Sequence, residues 1–166
     1  GSYDALWTQG LLLRATGRLL EAEVALRKAV EAAPSREEAW IARCELFLAQ
    51  PDMAKTAEAI AREGIIHVGD RQAAGLQFRL ALALGAQGRL DDAKAFYEAA
   101  LALRPGDSQI QQALAAVLGA IGVRDLFVAT PDALLATADR MAALDAGNPK
   151  GKLLRAVAYR GQKRLA

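Results

Sequence analysis

The chain has one cysteine and one histidine, and this scarcity excludes several kinds of site. Cys44 alone cannot form an internal disulfide or a cysteine metal cluster, and we expect it to be buried filler rather than a reactive thiol. His67 alone cannot form a multi-histidine metal site. The glycine-rich phosphate motifs G-x-x-x-x-G-K-[ST] and G-x-G-x-x-G are also missing. We therefore predict no catalytic residue, no metal and no cofactor, so the chain is not expected to be an enzyme.

Long apolar runs are missing too. Apolar residues make up 53% of the 166 residues, but no run approaches the roughly 18 needed to cross a bilayer. The opening Gly1-Ser2 is typical of a remnant of tag removal, so the lack of a targeting segment carries no information.

Acidic residues are missing from Ala146 onward, where the chain is basic. Such a tail attracts nucleic acid, anionic membranes or acidic partners, but its single aromatic and scattered charges favour a solvated terminal helix. We expect no nucleic-acid partner. The basic residues are Lys150, Lys152, Arg155, Arg160, Lys163 and Arg164.

An internal repeat is the main feature that is present. Residues 10–34, GLLLRATGRLLEAEVALRKAVEAAP, align with residues 81–105, ALALGAQGRLDDAKAFYEAALALRP, with nine of 25 positions identical. Residues 37–70 follow the same template with small insertions. Self-similarity at this period indicates a repeat architecture.

Each repeat carries two stretches with apolar residues at the helical period. Gly17 and Gly88 are expected in the turns between helices, where a positive φ is needed. Ser35-x-x-Glu38 and Ser108-x-x-Gln111 have the spacing of capping boxes that open the next helix. One helix pair cannot bury its apolar face alone, so the units should stack into an all-α solenoid.

The repeat resembles the tetratricopeptide repeat, whose 34 residues follow W-x2-L-G-x2-Y, A-x3-F and P. The first copy matches at Gly10, Leu13, Gly17, Ala22, Leu26, Ala29 and Pro34; the third matches at Leu80, Ala81, Leu84, Gly88, Ala93, Tyr97, Ala100 and Pro105. The resemblance implies a right-handed α-solenoid of about four helix hairpins plus a C-terminal capping helix. After the remnant at 1–2, the predicted repeats span 3–36, 37–73, 74–107 and 108–149.

The fourth repeat departs from the template with an insertion near 123–130, either a loop or a one-turn helix extension. Thr130 and Pro131 then form a good helix start, with threonine as the cap and proline at the first helical position. Residues 150–166 are predicted to be a helix that either caps the array or begins a truncated fifth repeat.

The resemblance also implies a binding surface, because the first helix of each tetratricopeptide hairpin lines the concave face. Its positions predict an apolar groove with a few charges at its edges, the kind of patch that binds a partner. In the alternative interpretation, the rings of Trp7 and Phe78 only complete the core. The predicted groove residues are Trp7, Leu11, Arg14, Ile41, Glu45, Leu48, Phe78, Arg79, Leu82 and Gln112.

These residue types differ from the lysine and asparagine that tetratricopeptide domains use to hold a chaperone tail's carboxylate. An apolar groove better suits an amphipathic helix or an apolar peptide. We therefore predict a non-catalytic module that binds a protein or peptide. The alternatives are a self-assembling scaffold, or a regulatory or targeting segment of a larger enzyme.

A narrower resemblance concerns VATPDALLATADRMAALDAGNPKGKLLRAVAYRGQ, residues 128–162. Its TP helix start and LD-x-x-NP exit are similar to the last units of bacterial cytochrome c maturation proteins. This resemblance implies a membrane-anchored periplasmic domain that acts as a chaperone or assembly factor for apocytochrome c. A cytoplasmic location is the alternative.

Overall fold

The computed structural model describes the backbone of residues 1–165 and the side chains of residues 1–163. This part of the chain contains nine α-helices and no strand, so the all-α prediction is confirmed. The helices are α1 Tyr3–Ala15, α2 Leu19–Ala32, α3 Glu37–Leu48, α4 Ala54–Val68, α5 Ala74–Ala86, α6 Leu90–Leu103, α7 Ser108–Arg124, α8 Pro131–Leu144 and α9 Pro149–Leu165. No helix within residues 1–165 combines the length and the hydropathy needed to cross a membrane.

Glycine ends the first helix of two hairpins, as predicted. Gly17 and Gly88 have φ of 77° and 76°, in the left-handed region that glycine adopts without steric cost. At the first turn, the N–H of Arg18 donates to the carbonyl of Leu13 at 2.9 Å and that of Gly17 donates to Arg14 at 3.1 Å. This pair of bonds is a Schellman motif, which satisfies the last carbonyls of α1 and reverses the chain into α2.

The two predicted serine capping boxes are wrong. Helix α3 begins at Glu37 after Arg36, whose side chain makes no capping bond, so Ser35 lies outside the helix. Helix α7 is capped by Asp107, whose carboxylate accepts from two backbone N–H groups, and Ser108 is already helical. A shift of one residue in the start removes the serine from the only position where its hydroxyl can cap. The Thr130 cap with proline behind it is confirmed.

The chain divides into two compact units, and residues 1–104 form the first. It contains the hairpins α1–α2, α3–α4 and α5–α6, and the first helices are neighbours, with α3 in contact with both α1 and α5. Small residues set the helix spacing: a Cβ added to Gly10 would lie 2.5 Å from Cγ of Leu26 on α2. The fully buried Trp40 packs in the middle of this unit and its indole donates to the carbonyl of Pro34 at 2.8 Å.

Residues 105–166 form the second unit, in which α8 packs on α7 and α9 packs on both. The predicted insertion is both a helix extension and a loop, because α7 runs to Arg124 and residues 125–129 form turns before the Thr130 cap. Phe127 in this loop is exposed. On α9, Arg155 pairs with Asp139 of α8, while Lys152 and Arg160 face solvent. The side chain of Arg164 and all of Ala166 lie outside the described residues.

Candidate functional site

A cleft lies between α1 and α3, where the sequence predicts the binding groove. Its volume is about 210 Å³. Trp7 and Leu11 line it from α1 and Ile41 from α3, and all three side chains are half-buried. Apolar side chains kept partly in contact with solvent can be covered by a partner, which makes the cleft a candidate binding site.

The cleft is flanked by a cluster of three charged side chains, an ion triple, that joins α1, α3 and α5, the first helices of the three hairpins in residues 1–104. The carboxylate of Glu45 on α3 accepts from Nη1 of Arg14 on α1 at 2.6 Å and from Nη2 of Arg79 on α5 at 2.5 Å. Burial alone would raise the pKa of Glu45, but the hydrogen bonds from Arg79 and Arg14 outweigh it and lower the pKa below its usual value. The carboxylate therefore stays ionised at neutral pH. With two guanidinium groups for one carboxylate, the triple carries one net positive charge.

We call the surface formed by these six side chains the first-helix face: Trp7, Leu11, Arg14, Ile41, Glu45 and Arg79. The structure thus brings together six of the ten predicted groove residues. Their proximity follows from the repeat, which places equivalent positions of successive first helices side by side.

Phe78 is a correction to the predicted groove. Its side chain is only 3% exposed, and its ring lies 5.6 Å from the ring of Tyr97 on α6. The guanidinium of Arg79 covers another part of the ring at 5.1 Å from its centre. Phe78 belongs to the core of the α5–α6 hairpin, as the alternative interpretation expected for it, and it offers no surface to a partner.

The other three predicted groove residues stay predictions. Leu48, in the last turn of α3, is half-buried, and Leu82 on α5 is 36% exposed. Gln112 is exposed on α7 in the second unit.

The wall of the cleft at Ile41 depends on a glycine of α5. A Cβ added to Gly75 would lie 2.5 Å from Cδ1 of Ile41 and 3.0 Å from Oε1 of Glu37. The same Glu37 oxygen accepts the backbone N–H of Leu76 at 2.8 Å, so a carboxylate of α3 satisfies the first turn of α5. Gly75 therefore lets α5 approach α3 closely enough for this contact.

A polar cluster lies at the α1 end of the cleft, and its members Tyr3 and Arg36 were not predicted from the sequence. Glu38, which lines the cleft, accepts a hydrogen bond from the Tyr3 hydroxyl at 3.3 Å. The guanidinium of Arg36 lies over the Tyr3 ring at 3.8 Å and pairs with Asp4 at 3.0 Å. Burial, together with the nearby charge of Glu38, raises the pKa of Tyr3 to about 12.

Trp7 has an unusual environment in this cluster. Its ring stacks on Tyr3 with centroids 6.4 Å apart, while its indole N–H is shielded from solvent and makes no hydrogen bond to the described residues. A buried donor without an acceptor is a cost to the folded chain.

The remaining candidates for chemistry are structural. Cys44 is fully buried, its thiol faces the carbonyl of Ala57 at 3.8 Å, and burial raises the pKa of the thiol to about 12. Its predicted role as filler is confirmed. His67 lies in the last turn of α4 and its ring stacks on Trp40 at 5.6 Å. Among the described side chains of residues 1–163, no group of three or more histidine, cysteine or acidic residues could hold a metal ion.

The comparison with protein families identifies the repeat. Family models described as tetratricopeptide repeat match residues 3–36 and residues 74–117. A comparison with curated proteins finds no match.

Solved structures of low sequence identity share the fold. MamA has a TM-score of 0.70 at 16% identity, with 97% of this chain and 82% of that chain covered. YrrB, described as having an unusual peptide-binding site, has a TM-score of 0.67 at 17% identity, covering 95% and 76%. The first repeat domain of Spaghetti (RPAP3), bound to the HSP90 peptide SRMEEVD, has a TM-score of 0.64 at 21% identity, covering 72% and 93%. The predicted helical-repeat solenoid is confirmed.

Proposed function

The chain is a tetratricopeptide repeat protein, and from this premise we propose that it is a non-catalytic module that binds an apolar or amphipathic peptide or helix on the first-helix face. The observation that carries the proposal is the open cleft whose half-buried apolar side chains stand beside a fixed ion triple.

The chemistry of the face defines the partner. The cleft can hold one or two apolar side chains of a partner against Trp7, Leu11 and Ile41. Burial of that apolar surface contributes about 25 cal/mol per Å² to the binding free energy. Tryptophan in such a position is a common source of binding energy. The positive excess at Arg14 and Arg79 favours an acidic or neutral flank over a basic one. We therefore expect an amphipathic segment with apolar residues on one side and a carboxylate nearby.

Two of the similar structures support a peptide or protein partner. The RPAP3 domain is described as bound to a peptide and YrrB as having a peptide-binding site.

Affinity capture from the native cell tests the proposal with a matched pair of variants. Ile41→Glu places a charge in the cleft, whereas Ile66→Glu makes the same change at an exposed position of α4. We expect the first variant to capture at least about tenfold less partner than the wild type, since a buried unpaired charge costs more than 1.4 kcal/mol of binding free energy. The second variant should capture as much as the wild type. Equal capture by both variants, each shown to be folded by circular dichroism, would refute the proposal.

Within this role we propose the narrower function of a chaperone or assembly factor for apocytochrome c, on the periplasmic side of a bacterial membrane. The support is the sequence of the last repeat, with Thr130-Pro131 at the start of α8 and LDAGNP running from the last residue of α8 to the first of α9. A titration with the C-terminal helix of an apocytochrome c tests it. Binding that Ile41→Glu weakens is expected, and failure to bind would remove this narrower role while leaving the general one.

A further inference from the structure

The α1–α3 cleft has a charged cluster at each end, and the second cluster has the opposite charge to the ion triple. Arg36 lies between two carboxylates, with Nη1 at 3.0 Å from Oδ1 of Asp4 and Nε at 3.6 Å from Oε2 of Glu38. Tyr3 beside them is uncharged at neutral pH, because its pKa is raised to about 12. We call Asp4, Arg36 and Glu38 the acidic triple, since two carboxylates on one guanidinium leave one net negative charge.

The two triples lie at opposite ends of the cleft. Asp4 is in the first turn of α1 and Arg14 is in its last turn. With a rise of about 1.5 Å per residue, they are about 15 Å apart along the helix axis. On α3, Glu38 and Glu45 both line the cleft and are two turns apart, or about 10 Å. The pairs Asp4–Arg36 and Arg14–Glu45 place the starts of α1 and α3 at one end of the cleft and their last turns at the other.

Each triple keeps hydrogen-bonding capacity for a partner. Glu45 takes one nitrogen from each arginine of the ion triple, and a guanidinium has five N–H donors, so Arg14 and Arg79 keep donors for a second carboxylate. In the acidic triple, the contacts to neighbouring side chains use Oδ1 of Asp4 and Oε2 of Glu38. The second oxygen of each carboxylate can accept from a cation, and both side chains are exposed.

We propose that the cleft fixes the direction of the segment that it binds, with a lysine or arginine of the partner at the acidic triple and a carboxylate of the partner at the ion triple. Apolar side chains of the partner fill the cleft between these two contacts. The proposal rests on the proposed function, because it concerns the same cleft. A helical partner needs its two charges two to three turns apart to span about 10–15 Å.

The reverse direction is disfavoured at both ends. It would place the partner's cation beside the arginines of the ion triple and its carboxylate beside Asp4 and Glu38, where like charges repel. Charge pairs in contact outweigh the partial charges at the ends of α1 and α3, which act within about one turn and are screened by salt.

Two stapled helical peptides of identical composition are the probes. Each has a pair of leucines on one face, flanked on that face by a lysine on one side and a glutamate on the other. The lysine is nearer the N-terminus in the first peptide, and the two charged residues are exchanged in the second. A staple on the opposite face keeps both peptides helical, and both carry a nitroxide at the N-terminus. Titration into the full chain is followed by amide chemical shifts and by paramagnetic broadening.

The position of the broadening reports the direction of binding. We expect both peptides to shift amides of the α1–α3 cleft. The nitroxide of the first peptide should broaden amides around Asp4 and Glu38, whereas that of the second should broaden amides around Arg14 and Leu48. Exposed ion pairs are individually weak, so we expect about a fivefold preference for the matched direction.

The outcomes separate this proposal from the proposed function. Broadening at the same end for both peptides, or equal broadening at both ends, would overturn the fixed direction and leave binding in the cleft intact. Absence of shifts in the cleft at millimolar peptide would refute the proposed function, and the fixed direction with it.

A double variant tests the acidic triple itself. Asp4→Asn with Glu38→Gln leaves Arg36 as an unpaired cation, so both ends of the cleft then favour a carboxylate. Each peptide should therefore broaden amides at both ends in this variant. Glu31→Gln, at an exposed position of α2, is the matched control and should keep the wild-type direction. Wild-type direction in the double variant, shown to be folded by circular dichroism, would also overturn the proposal.

Discussion

Replacing Glu45 by glutamine tests the ion triple that joins the first helices. Glutamine keeps the size of the side chain and one acceptor oxygen but removes the charge that holds Arg14 and Arg79 together. Hydrogen bonds to buried charged groups contribute about 1.5–3 kcal/mol each, whereas exposed ion pairs contribute about 0–1. The Glu45 side chain is 34% exposed, so we expect a loss of about 1–2 kcal/mol in the free energy of unfolding for the two bonds together.

The pH dependence of this loss follows from the direction of the pKa shift. Because the folded pKa of Glu45 is lowered, its contribution is fully present above the ordinary glutamate value of about 4.3. The contribution disappears as the pH falls through the lower, folded pKa. The difference in stability between wild type and Glu45→Gln should therefore be constant near neutral pH and vanish in acid.

Urea denaturation at a series of pH values is the assay, with Glu21→Gln as the matched control. Glu21 also accepts two bonds from an arginine, Arg18, but it is exposed and joins no neighbouring helix, so the control should keep the wild-type midpoint. An unchanged midpoint for Glu45→Gln at pH 7, or a difference that persists in strong acid, would refute the reasoning.

Four further predictions concern helix packing, a turn and the buried thiol. Gly10→Ala should destabilise by about 1–2 kcal/mol, since the added methyl meets Leu26 at 2.5 Å and overpacking outweighs the gain in helix propensity. Gly85→Ala should instead stabilise the folded chain by up to about 1 kcal/mol, because the added Cβ would lie 3.9 Å from its nearest neighbour, Cβ of Ala93. Urea denaturation of both variants is the assay, and two changes of the same sign would contradict the reasoning. Gly88→Ala should lower the free energy of unfolding by about 1–2 kcal/mol, because alanine is strained at the φ of 76° that Gly88 adopts. An unchanged midpoint in the same assay would contradict this prediction. Cys44 should resist a thiol reagent in the folded chain, because it is buried and burial raises the pKa of its thiol. It should react once urea at about 8 M has unfolded the chain. Rapid labelling of the folded protein would contradict the burial of Cys44.

The sequence predicts the helices, the turns and part of the site, because these depend on local chemistry and on the repeat period. The turn after α1 requires a positive φ at position 17, and glycine adopts it with a lower steric cost than other residues. The side-by-side placement of Trp7 and Ile41 follows from the repeat, since equivalent positions of successive hairpins are neighbours. The ion partners Arg14 and Glu45 are 31 residues apart, close to one repeat length, and this spacing is a pattern that predicts such pairs.

Phe78 shows where the sequence was insufficient. One residue corresponds to about 100° of rotation around a helix, so the face on which a ring lies depends on small differences in how a hairpin packs. Tyr97 of α6 offers Phe78 an aromatic partner in the core, and no local feature of α5 indicates this. The Ser35 capping box fails for a similar reason, because the helix start depends on where the preceding turn at Pro34 leaves the chain.

Site-specific photo-crosslinking in the native cell tests the binding face most directly. A photoreactive amino acid at Leu11, in the α1–α3 cleft, should yield a crosslinked product with a partner protein, and the same group at the exposed Ile66 of α4 should not. The product at position 11 should also fall with Ile41→Glu. Crosslinks from position 66 alone, or equal crosslinks from both positions, would contradict binding at the first-helix face.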